Sequence, residues 1–179
     1  MNKKDNNSFA YKAALGGILC AQALAISWLE SLLPAFPFMP PGAKPGLSNI
    51  ITMFAAGELG LGYAVTITVL KALFALVTKG ATAGAMSFAG GILSTLVMWI
   101  LLRYCRKKIG LTGISVLCAL SHNAGQLAAA MFITGTKSVI YYAPFMGLYA
   151  AAAGAVTGVI LKAVLPALQK QEKFFIRHR

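Results

Sequence analysis

The stretch LSNIITMFAAGELGLGYAVTITVLKALFALVT, residues 47–78, decides how often this chain crosses a bilayer. Its halves, Leu47–Leu61 and Gly62–Thr78, are both short beside the roughly 20 residues a spanning helix wants. Between them, Gly57-Glu58-Leu59-Gly60-Leu61-Gly62 reads as a tight turn between two short helices or as a break within one kinked element. The basic residues choose between these. If the stretch crosses twice and the N-terminus is cytoplasmic, twelve of the sixteen basic residues fall on the cytoplasmic side: Lys3, Lys4, Lys12, Arg103, Arg106, Lys107, Lys108, Lys162, Lys170, Lys173, Arg177 and Arg179. Lys44, Lys79 and Lys137 then lie outside, and Lys71 stays within a span. A single crossing would put the Arg103–Lys108 cluster outside, against the positive-inside rule.

Working outward, four further apolar runs are long enough to span: Tyr11–Leu33, Ala85–Leu102, Thr112–Thr134 and Val139–Leu165. The sequence therefore predicts an all-α integral membrane protein, a six-transmembrane-helix bundle over residues 11–165 with both termini cytoplasmic. Residues 1–10 form a cytoplasmic N-terminal tail, and residues 166–179 a basic cytoplasmic C-terminal tail. With 58% hydrophobic and 11% charged residues, against roughly 25% charged in soluble domains, a chain of 179 residues needs lipid to solvate its apolar surface. The net charge of +12 does not indicate nucleic-acid binding, because the basic residues sit in the gaps between apolar runs and are not interleaved with aromatics on a polar fold. Cys20, Cys105 and Cys118 lack metal-ligand spacing and read as small packing residues, so no metal or cofactor is expected. The first apolar run is too long for a cleavable signal peptide.

The longest connection, Pro34–Gly46, lies outside in this topology; five prolines in its thirteen residues forbid helix. Its Phe36, Phe38 and Met39 are apolar, so the loop rests on headgroups or lies back on the bundle as a lid.

Few residues can carry chemistry. Lys71 lies near the middle of the third run, where an unpaired lysine costs roughly 2.5–3.5 kcal/mol. It either snorkels, finds a structural partner, or holds an anionic substrate. In the fifth run, His122 and Gln126 share a helical face, which Ser115 and Ala119 continue toward the cytoplasm, and Asn123 is adjacent. These polar groups serve interhelical hydrogen bonds or a polar cavity shared with Lys71. We expect Lys71, His122, Asn123 and Gln126 to line one outward-opening cavity, with Asn49 and Ser87 near its mouth and Lys44 on the covering loop. Glu58 reads as a helix-end charge that pairs with a basic loop. Ala13, Gly17, Ala21 and Ala25 place small residues on one face of the first helix, for close packing in the bundle or against a partner membrane protein. Gly147, Ala151, Gly154 and Gly158 repeat the pattern in the last helix, where internal packing is expected.

The segment Pro41-Gly42-Ala43-Lys44-Pro45-Gly46-Leu47-Ser48-Asn49-Ile50, with Ser87-Phe88-Ala89-Gly90-Gly91 and His122-Asn123-Ala124-Gly125-Gln126, resembles the Gx transporter family, often labelled heptaprenyl diphosphate synthase component I. The resemblance covers nearly the whole chain. It relates the chain to the substrate-binding S components of energy-coupling factor transporters in the bacterial plasma membrane. It implies a bundle of the S-component type whose outward pocket is closed by the loop after helix 1. It also implies docking to a coupling subunit through Ala13, Gly17, Ala21 and Ala25, with separate ATPase subunits, since the chain has no phosphate-binding loop of its own. In that family arginine is usual at the position of Lys71; lysine keeps the charge and loses the bidentate fork. The synthase label does not imply catalysis. Prenyl elongation holds diphosphate through magnesium on clustered aspartates, and here the acidic residues are Asp5, Glu30, Glu58 and Glu172, all far apart. A substrate-capturing import subunit for a small anionic or isoprenoid- or quinone-related molecule is the first functional expectation. A non-catalytic membrane partner of a prenyl diphosphate synthase is the second.

Overall fold

The computed structural model describes residues 3–32 and 46–177. Among them the chain forms α1 (Lys3–Leu32), α2 (Asn49–Glu58), α3 (Leu61–Lys79), α4 (Ala81–Tyr104), α5 (Arg106–Thr134), a 3₁₀ turn (Lys137–Tyr142) and α6 (Ala143–Arg177). Each apolar run of the sequence contains one α-helix. Among the described residues, five stretches are long and apolar enough to cross a membrane: Lys12–Leu32, Leu61–Lys79, Ala81–Tyr104, Arg106–Thr134 and Lys137–Pro166.

The sixth expected span falls on α2, which is outside the five membrane-length stretches. Helix α2 has 10 residues, or ~15 Å at ~1.5 Å per residue, about half of a ~30 Å hydrocarbon core. It begins at the depth of Lys71, the middle of α3, where Asn49 meets the lysine ammonium.

The Gly57–Gly62 segment is a turn between two helices. Gly60 has φ +97°, a conformation that favours glycine, and its amide closes on the Ala55 carbonyl. The chain reverses there, so Asn49 and Lys71, both eleven residues from Gly60, face each other as a helical hairpin requires. The α2–α3 turn and the α4–α5 junction line one hollow and thus share an end of the bundle, called here the basic end after Arg103–Lys108. Within α5, Gly110 (φ 71°, ψ 171°) breaks the helix, leaving Arg106–Ile109 as a single turn ahead of the long segment.

Helices α3, α4, α5 and α6 pack in sequence, and glycines set their spacing. Gly90 and Gly125 stand opposite each other between α4 and α5. A Cβ on Gly125 would lie 2.7 Å from the Ala89 carbonyl oxygen and 2.8 Å from the Gly90 Cα. On α6, a Cβ on Gly154 or Gly158 would come within 2.6 Å of the Cα of Val116 or Thr112 on α5. Internal packing therefore holds for Gly154 and Gly158, whereas Gly147 has open space around it. Such approaches bring backbones into van der Waals contact where lipid removes the hydrophobic drive for association. Many of the large apolar side chains that stay exposed, including Ile18, Leu73, Val77, Leu96 and Val159, lie along the membrane-length helices.

Candidate functional site

Buried polar side chains concentrate where α2 begins. Lys71 of α3 is 6% exposed, and its Nζ donates to Asn49 Oδ1 at 2.8 Å. On α5, His122 and Gln126 sit one turn apart, with His122 Nε2 and Gln126 Nε2 3.0 Å from each other. Gly46 joins the two groups: a Cβ placed there would lie 3.0 Å from Asn49 Nδ2 and 3.7 Å from His122 Cδ2. Lys71, Asn49, His122 and Gln126 thus form one cluster around the entry of α2. Gly90 packs behind it, its notional Cβ 2.8 Å from Gln126 Cγ.

Two other expected residues stand apart. Asn123 is rotated from the His122 face, and its Nδ2 donates to the Met146 carbonyl of α6 at 3.0 Å, which ties α5 to α6. Ser87 is half-buried on α4, one turn before Gly90 and Gly91. Lys44 and the covering loop up to residue 45 lie outside the described residues.

A crevice of about 290 Å³, counted to its open mouth, runs beside the cluster. Gly46 and Asn49 form one part of its wall, and Met53, Met98, Ser115, Cys118, Ala119 and residues of α6 form the rest. Of the cluster, Asn49 borders this crevice; the cavity expected beneath the Pro34–Gly46 loop, with Lys71, His122, Asn123 and Gln126 as its lining, involves residues outside those described. Ser115 and Ala119, which continue the His122 face, line the crevice, and Ser115 Oγ meets Thr157 Oγ1 at 2.8 Å.

Two features escaped the sequence reading. Glu30, near the end of α1, is 4% exposed, and its carboxylate accepts from the Leu47 amide and, at 3.5 Å, from the Ser48 amide. Leu47 and Ser48 make the turn just before α2, at the positive end of its backbone dipole, where amides suit an anion. Glu30 thus caps α2 from another helix and fixes where Asn49 meets Lys71. Its signal was a lone carboxylate in an apolar run. The second is the amide of Gln126. The side chain is 1% exposed and its Oε1 has no hydrogen-bond partner among the described residues. Flipping the amide would only exchange which atom is left over.

The small residues of α1 have one location. Ala13, Gly17, Ala21 and Ala25 are all exposed, and a Cβ on Gly17 would meet nothing within 4 Å. The opposite face buries Leu19, Ala23, Ser27 and Glu30, and Tyr63 packs on Gly16.

Five membrane-length helices around a buried cation and its polar neighbours define a polytopic helical membrane protein. Within that class, residues 19–164 match the sequence model of a family described as heptaprenyl diphosphate synthase component I. The match spans most of the chain, which belongs to that family. None of the curated proteins and none of the solved structures matches it.

Proposed function

We propose that this chain is the substrate-capturing subunit of an energy-coupling-factor-like importer in the cell membrane, with six membrane segments, the short α2 included, and both termini cytoplasmic. One observation carries the reading: a lysine 6% exposed in the middle of a membrane helix, bonded to Asn49 beside His122 and Gln126. A charge at that depth is costly, and such residues are retained where they serve a ligand or an ion path. The ligand is small and amphipathic, with an anionic or strongly accepting group for Lys71. It also carries a polar group for the Gln126 amide atom that has no partner among the described residues. An isoprenoid- or quinone-related acid has this character. The exposed row Ala13, Gly17, Ala21 and Ala25 is the docking face for a membrane coupling subunit, which brings ATPase subunits with it.

The family's description favours a second reading, a non-catalytic membrane partner of a prenyl diphosphate synthase. One experiment separates the two. The chain is purified gently from its native membrane, and small molecules and copurifying proteins are identified by mass spectrometry. A retained anionic small molecule together with ATPase subunits supports import. A synthase subunit with no retained small molecule overturns import in favour of the second reading.

A further inference from the structure

At the basic end, a polar hollow of about 720 Å³, including its open mouth, lies between the α2–α3 turn and the α4–α5 junction. The polar cluster around Lys71 contributes nothing to it, and the inference drawn from it is independent of the import reading. Its two walls carry opposite charge. One is the C-terminal end of α2, with Glu58 and the Gly60 turn; a helix C-terminus holds the negative end of the backbone dipole, about half an elementary charge. The other carries Arg103 and Arg106, with Arg103 over the Trp99 ring at 5.6 Å from its centroid. Lys107 and Lys108 follow on the same isolated turn, before the break at Gly110.

The depth of the hollow is fixed by α3, which starts at Leu61 beside it. Its 19 residues span ~28 Å, about the thickness of the hydrocarbon core. The hollow therefore opens at headgroup level, where tryptophan and arginine settle. A soluble anion would meet the two arginines and also the carboxylate and the negative end of α2. A headgroup that carries both charges satisfies both walls.

We infer that this hollow binds the phosphoethanolamine headgroup of a membrane lipid. The guanidinium groups of Arg103 and Arg106 take the phosphate, to which their planar forks are suited. Glu58 and the end of α2 take the ammonium. Glu58 already has a contact within the protein, and a carboxylate accepts several donors at once.

The test uses the full chain in detergent, delipidated, with binding read by native mass spectrometry and by thermal unfolding as single lipids are returned. Phosphatidylethanolamine should bind at least tenfold more tightly than phosphatidylcholine, whose methylated ammonium cannot donate, and more tightly than phosphatidylglycerol, which has no ammonium. Glu58→Gln should remove the preference for phosphatidylethanolamine over phosphatidylglycerol. Arg103→Gln combined with Arg106→Gln should abolish retention of both. A photoactivatable phosphatidylethanolamine on the unmodified chain should label peptides containing Trp99 and Gly60, which keeps the test intact if the arginine variant does not fold. Equal retention of the three lipids, or a preference for phosphatidylglycerol, would overturn the inference. Equal affinity for soluble glycerophosphoethanolamine would assign the hollow to a free phosphate compound and overturn the lipid assignment.

Discussion

Exchanging Lys71 for methionine and Asn49 for leucine, singly and together, separates a lysine kept for a ligand from one kept for the fold. Lys71 is 6% exposed, and its ammonium donates to Asn49 Oδ1 at 2.8 Å. Lys71→Met keeps most of the stem and removes a charge whose burial in a membrane helix costs roughly 2.5–3.5 kcal/mol. It also removes a charged hydrogen bond that stabilises by ~1.5–3 kcal/mol. The two nearly cancel, and the half-buried Asn49 borders an open crevice, so the folded state should change by less than about 1 kcal/mol. Asn49→Leu acts differently, since it leaves the charge buried and takes away an acceptor. Lys71 has a further contact in the protein, so the loss should fall at the low end, ~1.5 kcal/mol. The double variant should recover most of that loss. Thermal and denaturant unfolding in detergent would measure all four proteins, and mass spectrometry would measure the retained small molecule. Lys71→Met should weaken an anionic ligand by about ten- to hundredfold, the equivalent of one charged hydrogen bond. If Lys71→Met unfolds the protein more than Asn49→Leu does, or leaves ligand retention unchanged, the lysine is structural and the reasoning fails.

Further outcomes are open to measurement. In intact cells a membrane-impermeant thiol reagent should label a cysteine at Ala43 and miss cysteines at Asn6 and Gln171, all in a background without the native cysteines; labelling at either terminal site contradicts the proposed topology. Ala21→Leu should reduce copurification of partner subunits while leaving ligand retention and unfolding unchanged, because Ala21 is exposed; joint loss of folding and retention would place the row inside a packing interface. Gly125→Ala should destabilise the bundle by ~1–3 kcal/mol, since its Cβ would sit 2.7 Å from the Ala89 carbonyl oxygen with backbone on both sides; the same exchange at Gly147, which has open space, should be nearly neutral.

How far the sequence could be read depended on the kind of information each residue carried. Helix number and order followed from apolar run length and Gly–Pro punctuation, which act locally, so each apolar run contains a helix. The depth of α2 could not follow from these, because a ten-residue helix and a kinked half of a longer one share a composition. It is set by two side chains from other helices, Glu30 and Lys71. The grouping of Lys71, His122 and Gln126 was legible because equal depth along α3 and α5, which both start at the basic end, can be counted from their ends. Rotation about the helix axis was less legible. Asn123, next to His122 in the chain, turns about 100° away and bonds to α6. The exposure of Ala13, Gly17, Ala21 and Ala25 was undetermined for a similar reason: a row of small residues marks a close approach and does not say from which side.

The Glu30 cap makes the turn that leads into α2 depend on a residue of α1 seventeen positions away in sequence. The Leu47 and Ser48 amides give their protons to a carboxylate on α1, so their exchange with deuterated solvent is governed by how firmly α1 is seated. A protein that takes hold of the opposite face of α1 would register at those two amides without touching them, and deuterium uptake there becomes a remote gauge of what α1 is bound to.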